Sequence, residues 1–205
     1  MDHILRAITS ELSWPEIIAS LTGLISVYLL VKNNIWNWFW GIISVLLFGW
    51  VFYASKLYSN AGLQLLYFLP MQFYGWWIWA KCGPTHNDDL PITLLTPVAT
   101  ISWVILMAVS SLALGMYMSH YTDAALPYWD ATVTCISIGA QYLQARKNYE
   151  NWILWIVIDI ISVFYLFPMQ HLYVTTGLYV IFMILAVQGA VEWLGLMKQQ
   201  EKYGH

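Results

Sequence analysis

Long apolar stretches separated by short polar linkers dominate the chain. Windows of about twenty residues, the length that crosses a bilayer core as a helix, predict seven spans. They run roughly over 15–32, 36–54, 59–80, 92–118, 127–145, 151–167 and 172–195. The sixth is short, which tilt or local thinning of the bilayer accommodates. Polar residues inside these stretches recur at helical intervals. In the fifth, Asp130, Thr134, Ser137, Gln141 and Gln144 form one stripe, and in the sixth Asn151, Trp155, Asp159 and Ser162 form another. The second carries Asn37, Trp40 and Ser44 at such spacing, and the third places Gln64, Phe68, Gln72, Trp76 and Trp79 on a common face. Lipid penalises these stripes, so they are expected to point inward. There they act as hydrogen-bond glue between helices, worth about 0.6 kcal/mol each, or as contacts for a polar ligand.

Asp159 is the most informative of these positions. It lies near the middle of NWILWIVIDIISVFYLF (151–167), where a carboxylate costs roughly 2.5–3.5 kcal/mol on insertion scales. The usual remedy is a basic partner at the same depth. All eight Lys and Arg residues (Arg6, Lys32, Lys56, Lys81, Arg146, Lys147, Lys198 and Lys202) fall in predicted loops or at span ends. Asp159 is therefore protonated, held by neutral donors, or turned toward a cavity that admits a cation. Asp130, only four residues into its span, suits a solvated or capping role as well as a binding one.

Composition fits a membrane protein: 60% of residues are hydrophobic and 9% charged, with mean hydropathy +0.61. A net charge of −3 supplies no basic surface for nucleic acid. Cys82 and Cys135 have neither metal-ligand spacing nor an obvious disulfide partner. The leading segment MDHILRAITSELSW lacks the apolar core of a signal peptide and is expected to be a short amphipathic lead-in. Basic residues are asymmetric, with Arg6 and Lys56 on one predicted side and the other six opposite. The positive-inside rule then puts the N-terminus outside and the C-terminus in the cytoplasm.

The chain also repeats itself. A shift of 114 lays Glu16, Ser20 and Gly23 on Asp130, Thr134 and Ser137, Asn37-Trp38 on Asn151-Trp152, and Gly75 and Trp79 on Gly189 and Trp193. With one inserted residue, Trp40 meets Trp155 and Ser44 meets Asp159. Four spans separate corresponding copies, so the copies run the same way through the bilayer. The expectation is an all-α, seven-span, 3+1+3 parallel repeat of SWEET-like type, with substrate near the midplane at the repeat interface. Its parts are a first three-helix repeat with lead-in (1–90), a linker span (91–120) and a second three-helix repeat with tail (121–205).

Thirteen tryptophans divide by depth. Trp14, Trp36, Trp38, Trp103 and Trp193 read as interface anchors. Trp40, Trp76 and Trp155 lie deeper or share faces with polar groups. An indole face attracts a desolvated cation by about 2 kcal/mol and stacks on flat heterocycles; ordinary aromatic packing is the plainer alternative. An aromatic box beside an acid suits a planar cationic molecule.

The stretch LPYWDATVTCISIGAQYLQARKNYENWILWIVIDIISV (126–163) resembles the PnuC family of bacterial nicotinamide riboside transporters, notably in WD, RK and ENWxLW. LSWPE (12–16), GIISVLLFG (41–49) and YGWWIW (74–79) resemble the first repeat of the same family. The resemblance runs from about residue 12 to 195. It implies a seven-span SWEET-like inner-membrane carrier working by facilitated diffusion, with uptake enforced by a cytoplasmic riboside kinase, and a trimer. It also implies substrate contacts from Gln72, Trp76, Asn151 and Trp155. Together with the residue reading, the candidate substrate site is Trp40, Gln72, Trp76, Asp130, Gln141, Asn151, Trp155 and Asp159, with no cofactor and no catalytic group.

Two departures from the family pattern stand out. Some members carry Asn where this chain has Asp159, and Asn or Ser at Gln72. One extra residue between Gln64 and Gly75, near Pro70, is expected to rotate that half-helix. Family branches for other vitamins keep thiamine, also a flat aromatic cation, as the alternative substrate. Other classes fit less well. A haem protein needs histidines in its spans, a retinal protein a lysine in its last span, an ATP-driven pump a phosphate-binding loop, and an intramembrane hydrolase a second deep acid. A purely structural membrane protein would bind no ligand at all.

Overall fold

The computed structural model describes residues 14–54, 62–81, 90–122, 126–169 and 173–203, and within these the chain is helical almost throughout. The helices are α1 (Trp14–Val31), α2 (Trp36–Ala54), α3 (Leu69–Lys81), α4 (Pro97–Tyr121), α5 (Pro127–Ala145), α6 (Glu150–Ile161) and α7 (Tyr173–Tyr203). A π turn, Gln64–Phe68, leads into α3; another, Ser162–Leu166, prolongs α6 and ends in the single turn Phe167–Met169. Trp14–Val31, Pro97–Tyr121 and Thr176–Lys202 are long and apolar enough to cross a membrane. The predicted lead-in and the linker CGPTHNDD lie outside the described residues. The chain forms two compact units, Met1–Asp89 and Leu90–His205.

In the first unit α1 and α2 pack as an antiparallel pair around a tight corner. Asn33 takes φ 51°, a left-handed conformation that Asn tolerates better than most residues. Asn33 N–H then reaches the Leu30 carbonyl and Asn34 N–H the Leu29 carbonyl, both at 2.9 Å, satisfying carbonyls that the helix end would orphan. Asn37, at the start of α2, donates its amide Nδ2 to the Asn34 carbonyl at 2.7 Å. Ser26 Oγ donates to the Asn37 carbonyl at 2.8 Å and Ser44 Oγ to the Ala19 carbonyl at 2.9 Å. Trp38 is wholly buried and meets Trp79 of α3 edge to face, centroids 5.4 Å apart. Gly75 lies directly on the Trp38 ring, leaving no room for a Cβ.

The second unit builds the same corner between α5 and α6. Lys147 takes φ 53°, its N–H bonds the Gln144 carbonyl at 3.1 Å, and Asn148 N–H bonds Leu143 at 2.9 Å. Asn151 Nδ2 donates to the Asn148 carbonyl at 2.6 Å. Trp152 is buried and meets Trp193 of α7 edge to face at 5.4 Å, with Gly189 against its ring. Trp38 and Trp193, expected from sequence to anchor at the membrane interface, are thus core residues, each 0% exposed. Glycine opposite one indole and a second indole alongside make a closed apolar slot, which outweighs the interfacial preference of the residue type.

α4 belongs to this second unit and packs on α5 through small and slender groups. Gly115 faces the Tyr128 ring, and Gly139 faces Met107 Sδ. Thr96 caps α4, its Oγ1 accepting from Ala99 N–H at 3.3 Å, with Pro97 as the first helical residue. The opposite face of α4 (Ile101, Val104, Ile105, Val109, Leu112) is exposed and apolar, as lipid solvation permits. The extended segment before α4 straps over the corner. Thr93 N–H bonds the Lys147 carbonyl at 3.1 Å, Tyr149 N–H bonds Thr93 at 2.9 Å, and Leu95 N–H bonds Glu150 Oε1 at 2.8 Å.

Candidate functional site

The α5–α6 pair of the second unit carries the densest polar interior. Ser137, Gln141 and Gln144 are buried along α5, and Asn151, Asp159 and Ser162 are buried along α6 and its π turn. The helical spacing read from sequence put these residues on inward faces, and the fold keeps them there. Asp130, in the first turn of α5, and Thr134 are half-buried. Trp155 is half-buried and donates its indole Nε1–H to Gln144 Oε1 at 3.0 Å, tying α6 to α5. Its indole nitrogen is thereby fixed.

Several buried atoms in this unit have no protein partner. Gln141 Nε2, Asn151 Oδ1 and Ser162 Oγ make no hydrogen bond and are closed to solvent. A buried polar atom left so costs about 1–3 kcal/mol, and native folds rarely tolerate several together unless water or a ligand completes them. The Asn151 amide is divided in its duties: Nδ2 holds the corner, and Oδ1 is left available. The charge of Asp159 on α6 acts on Tyr179 of α7. Tyr179 was not singled out by the sequence. It is one of fourteen tyrosines, and only the packing of α7 against α6 gives it an acidic neighbour.

The first unit places its candidates differently. Gln72 is buried, its amide lies against Gly41 of α2, and its Oε1 has no partner. Trp76, one turn further, is half-buried and turns toward Trp36 and Phe39, at centroid distances of 6.3 and 6.2 Å. Trp40 is half-buried and meets Phe39 at 5.6 Å. The face expected to run from Gln64 through Trp79 does not hold as one line. The π turn at Gln64–Phe68 absorbs an extra residue, and the buried line of α3 is Gln72, Gly75 and Trp79.

Known membrane transporters are similar to this chain over most of its length. The nicotinamide riboside transporter PnuC of Escherichia coli (strain K12) is 29% identical, over 93% of this chain and 89% of that protein. The riboflavin/roseoflavin transporter RibM of Streptomyces davaonensis is 26% identical, over 88% of this chain and 84% of its own length. A crystal structure of the vitamin B3 transporter PnuC superposes with a TM-score of 0.74 at 28% identity, covering 96% of this chain and 87% of that one. The family described as nicotinamide mononucleotide transporter matches residues 13–195, from just before α1 into the last third of α7. A helical chain with long apolar spans, a buried acid and unpartnered interior amides, matched over this length, belongs to that family of membrane transporters.

Proposed function

We propose that this protein carries nicotinamide riboside across the bacterial cytoplasmic membrane by facilitated diffusion. The observation that carries the reading is the polar interior of the α5–α6 pair. Asp159 offers a negative charge to a pyridinium ring. Trp155, its nitrogen already bonded to Gln144, offers an indole face for stacking. Gln141 Nε2, Asn151 Oδ1 and Ser162 Oγ supply donors and acceptors for ribose hydroxyls and a carboxamide. Within the first unit Gln72, Trp76 and Trp40 are the candidate contacts, and in the second Asp130 lies at the start of the polar stripe.

The architecture that goes with this function is seven spans in a parallel 3+1+3 repeat: residues 1–90, a linker span at 91–120, and 121–205. Matching corners at Asn33 and Lys147, matching Trp38–Trp79 and Trp152–Trp193 pairs, and matching glycines support it. The N-terminus lies outside, the C-terminus lies in the cytoplasm, and the protein works as a homotrimer. A carrier of this kind only equilibrates its substrate, since equal affinity for two states shifts neither. Net uptake therefore depends on a cytoplasmic kinase whose phosphorylated product is repelled by Asp159.

The test is transport by the purified protein in liposomes. Equilibration of nicotinamide riboside without accumulation, converted to net uptake by an enclosed kinase and ATP, is the expected result. Accumulation driven by an imposed pH gradient and collapsed by a protonophore would instead make this a proton symporter. Thiamine is the second reading, because its aromatic cation suits the same acid and indole. Side-by-side binding of nicotinamide riboside, thiamine and riboflavin to the purified protein decides among them.

A further inference from the structure

Two short segments far apart in the chain share a sequence and a distortion. Residues 67–71 read YFLPM and residues 165–169 read YLFPM. In both, a five-residue π turn stands immediately before: Gln64–Phe68 before Pro70, and Ser162–Leu166 before Pro168. In both, the residue four before the proline, Leu66 or Phe164, is the third residue of that π turn. A regular helix would need the proline nitrogen to bond that carbonyl, which it cannot do, and would drive the ring into it. Widening the turn relieves the clash. At the first site Leu69 N–H bonds Gln64 O, five residues back; at the second, the π turn Ser162–Leu166 likewise ends two residues before the proline. The hydrogen-bond ladder is therefore loosened at the same place in two helices. Such points are where helices bend at low cost.

The candidate substrate residues lie on opposite sides of the two bends along the chain. Gln72 follows Pro70 by two residues, and Asp159 precedes the second π turn by three. In each helix a regular segment carries the polar and aromatic candidates, and the loosened turn separates it from one helix end. In the topology proposed above, each loosened turn lies toward the outer end of its own helix. At the second site the bend is latched: Tyr165 stacks on Trp129, at the start of α5, with centroids 5.0 Å apart and planes 10° from parallel.

We propose that the π turns before Pro70 and Pro168 are paired hinges that open the outer ends of their helices, the second released when Tyr165 leaves Trp129. This rests on the transporter reading and deepens it, assigning the bends that let a bound substrate exchange with the outside. Hinges of this kind are element-terminal positions that absorb a backbone change while the rigid parts move as bodies.

The experiment measures nicotinamide riboside binding and equilibrium exchange with the full chain in liposomes. The double variant Pro70→Ala/Pro168→Ala restores both ladders. It is expected to bind within about twofold of the parent while exchange slows about tenfold, since conformational steps limit such carriers. The pair Pro70→Gly/Pro168→Gly keeps the helices pliable and is expected to retain exchange within about threefold. Parental exchange in the alanine pair, or equal slowing in both pairs, would overturn the hinges. Should the alanine pair not reach the membrane, Trp129→Leu unlatches the second bend and is expected to speed exchange; an unchanged rate overturns the proposal. Failure of the parent to bind nicotinamide riboside would instead remove the substrate reading beneath it.

Discussion

The corner between α1 and α2 and the corner between α5 and α6 are built from the same parts, yet their interiors differ. Each turns through one left-handed residue, Asn33 or Lys147, and stitches the next helix down with an asparagine amide, Asn37 or Asn151. Each buries an indole in a slot made by a glycine and a second indole. In the first unit the remaining polar residues mostly satisfy themselves on backbone carbonyls: Thr22 on Ile18, Ser26 on Asn37, Ser44 on Ala19. In the second, Gln141, Asn151 and Ser162 each leave an atom unpaired along the α5–α6 pair; in the first, Asn33 and Gln72 do so. Shared features are therefore architectural. The unpaired interior atoms mark where a ligand is expected.

The largest effect separates architecture from ligand contact. Trp38→Ala and Trp152→Ala each empty a fully packed slot and are expected to cost about 3–5 kcal/mol of stability, read as a fall in thermal midpoint in detergent. The two should fall alike. A large loss at Trp152 with none at Trp38 would break the equivalence of the corners.

Next come Asp159→Asn and Trp155→Ala, expected to weaken nicotinamide riboside binding by about 1–3 kcal/mol each, as loss of a charge-assisted or stacking contact does. The folded protein should persist. Asp159→Asn that leaves binding unchanged while raising thermostability would make the acid a tolerated burial and remove the centre of the proposed site. Binding should also quench tryptophan emission in the parent, because the heterocycle stacks on an indole; quenching that survives Trp155→Ala undiminished points to another indole.

A sharper comparison pairs Asn37→Ala with Asn151→Ala. Both lose a corner hydrogen bond and should lower stability by about 1 kcal/mol. Only Asn151→Ala should also weaken binding, because only Asn151 has an unpaired carbonyl oxygen in the polar interior. Equal binding by both variants would reduce Asn151 to a corner residue.

The smallest effect is a control. Ser44→Ala removes one bond between α1 and α2 and is expected to cost about 0.6 kcal/mol with no change in affinity. A measurable loss of binding would show that the Ser44 contact between α1 and α2 also positions the site.

The helices and their inward polar stripes were legible because both rest on local regularities: apolar length for a span, and intervals of three and four residues for a face. Asp159 stood out for the same reason, its burial following from its neighbours in sequence. Paired Asn-Trp and Gly/Trp positions could be read as well, and each unit builds its corner and its indole slot on them. What the linear order did not determine is what each indole touches. Trp38 and Trp193 have the same composition-level signature as an interface anchor, and only the glycine brought opposite Trp38, or the indole of Trp152 brought beside Trp193, makes them core. The strap joining Thr93 to Lys147 and Tyr149 spans more than fifty residues and has no local signal. Nor does the division of the Asn151 amide between a carbonyl and an empty interior. An extra residue near Pro70 was visible in the sequence, but its resolution as a π turn depended on a helix that continues on both sides. Local periodicity sets which faces are buried; partners depend on contacts distant in the chain, and those exist only once the helices have packed.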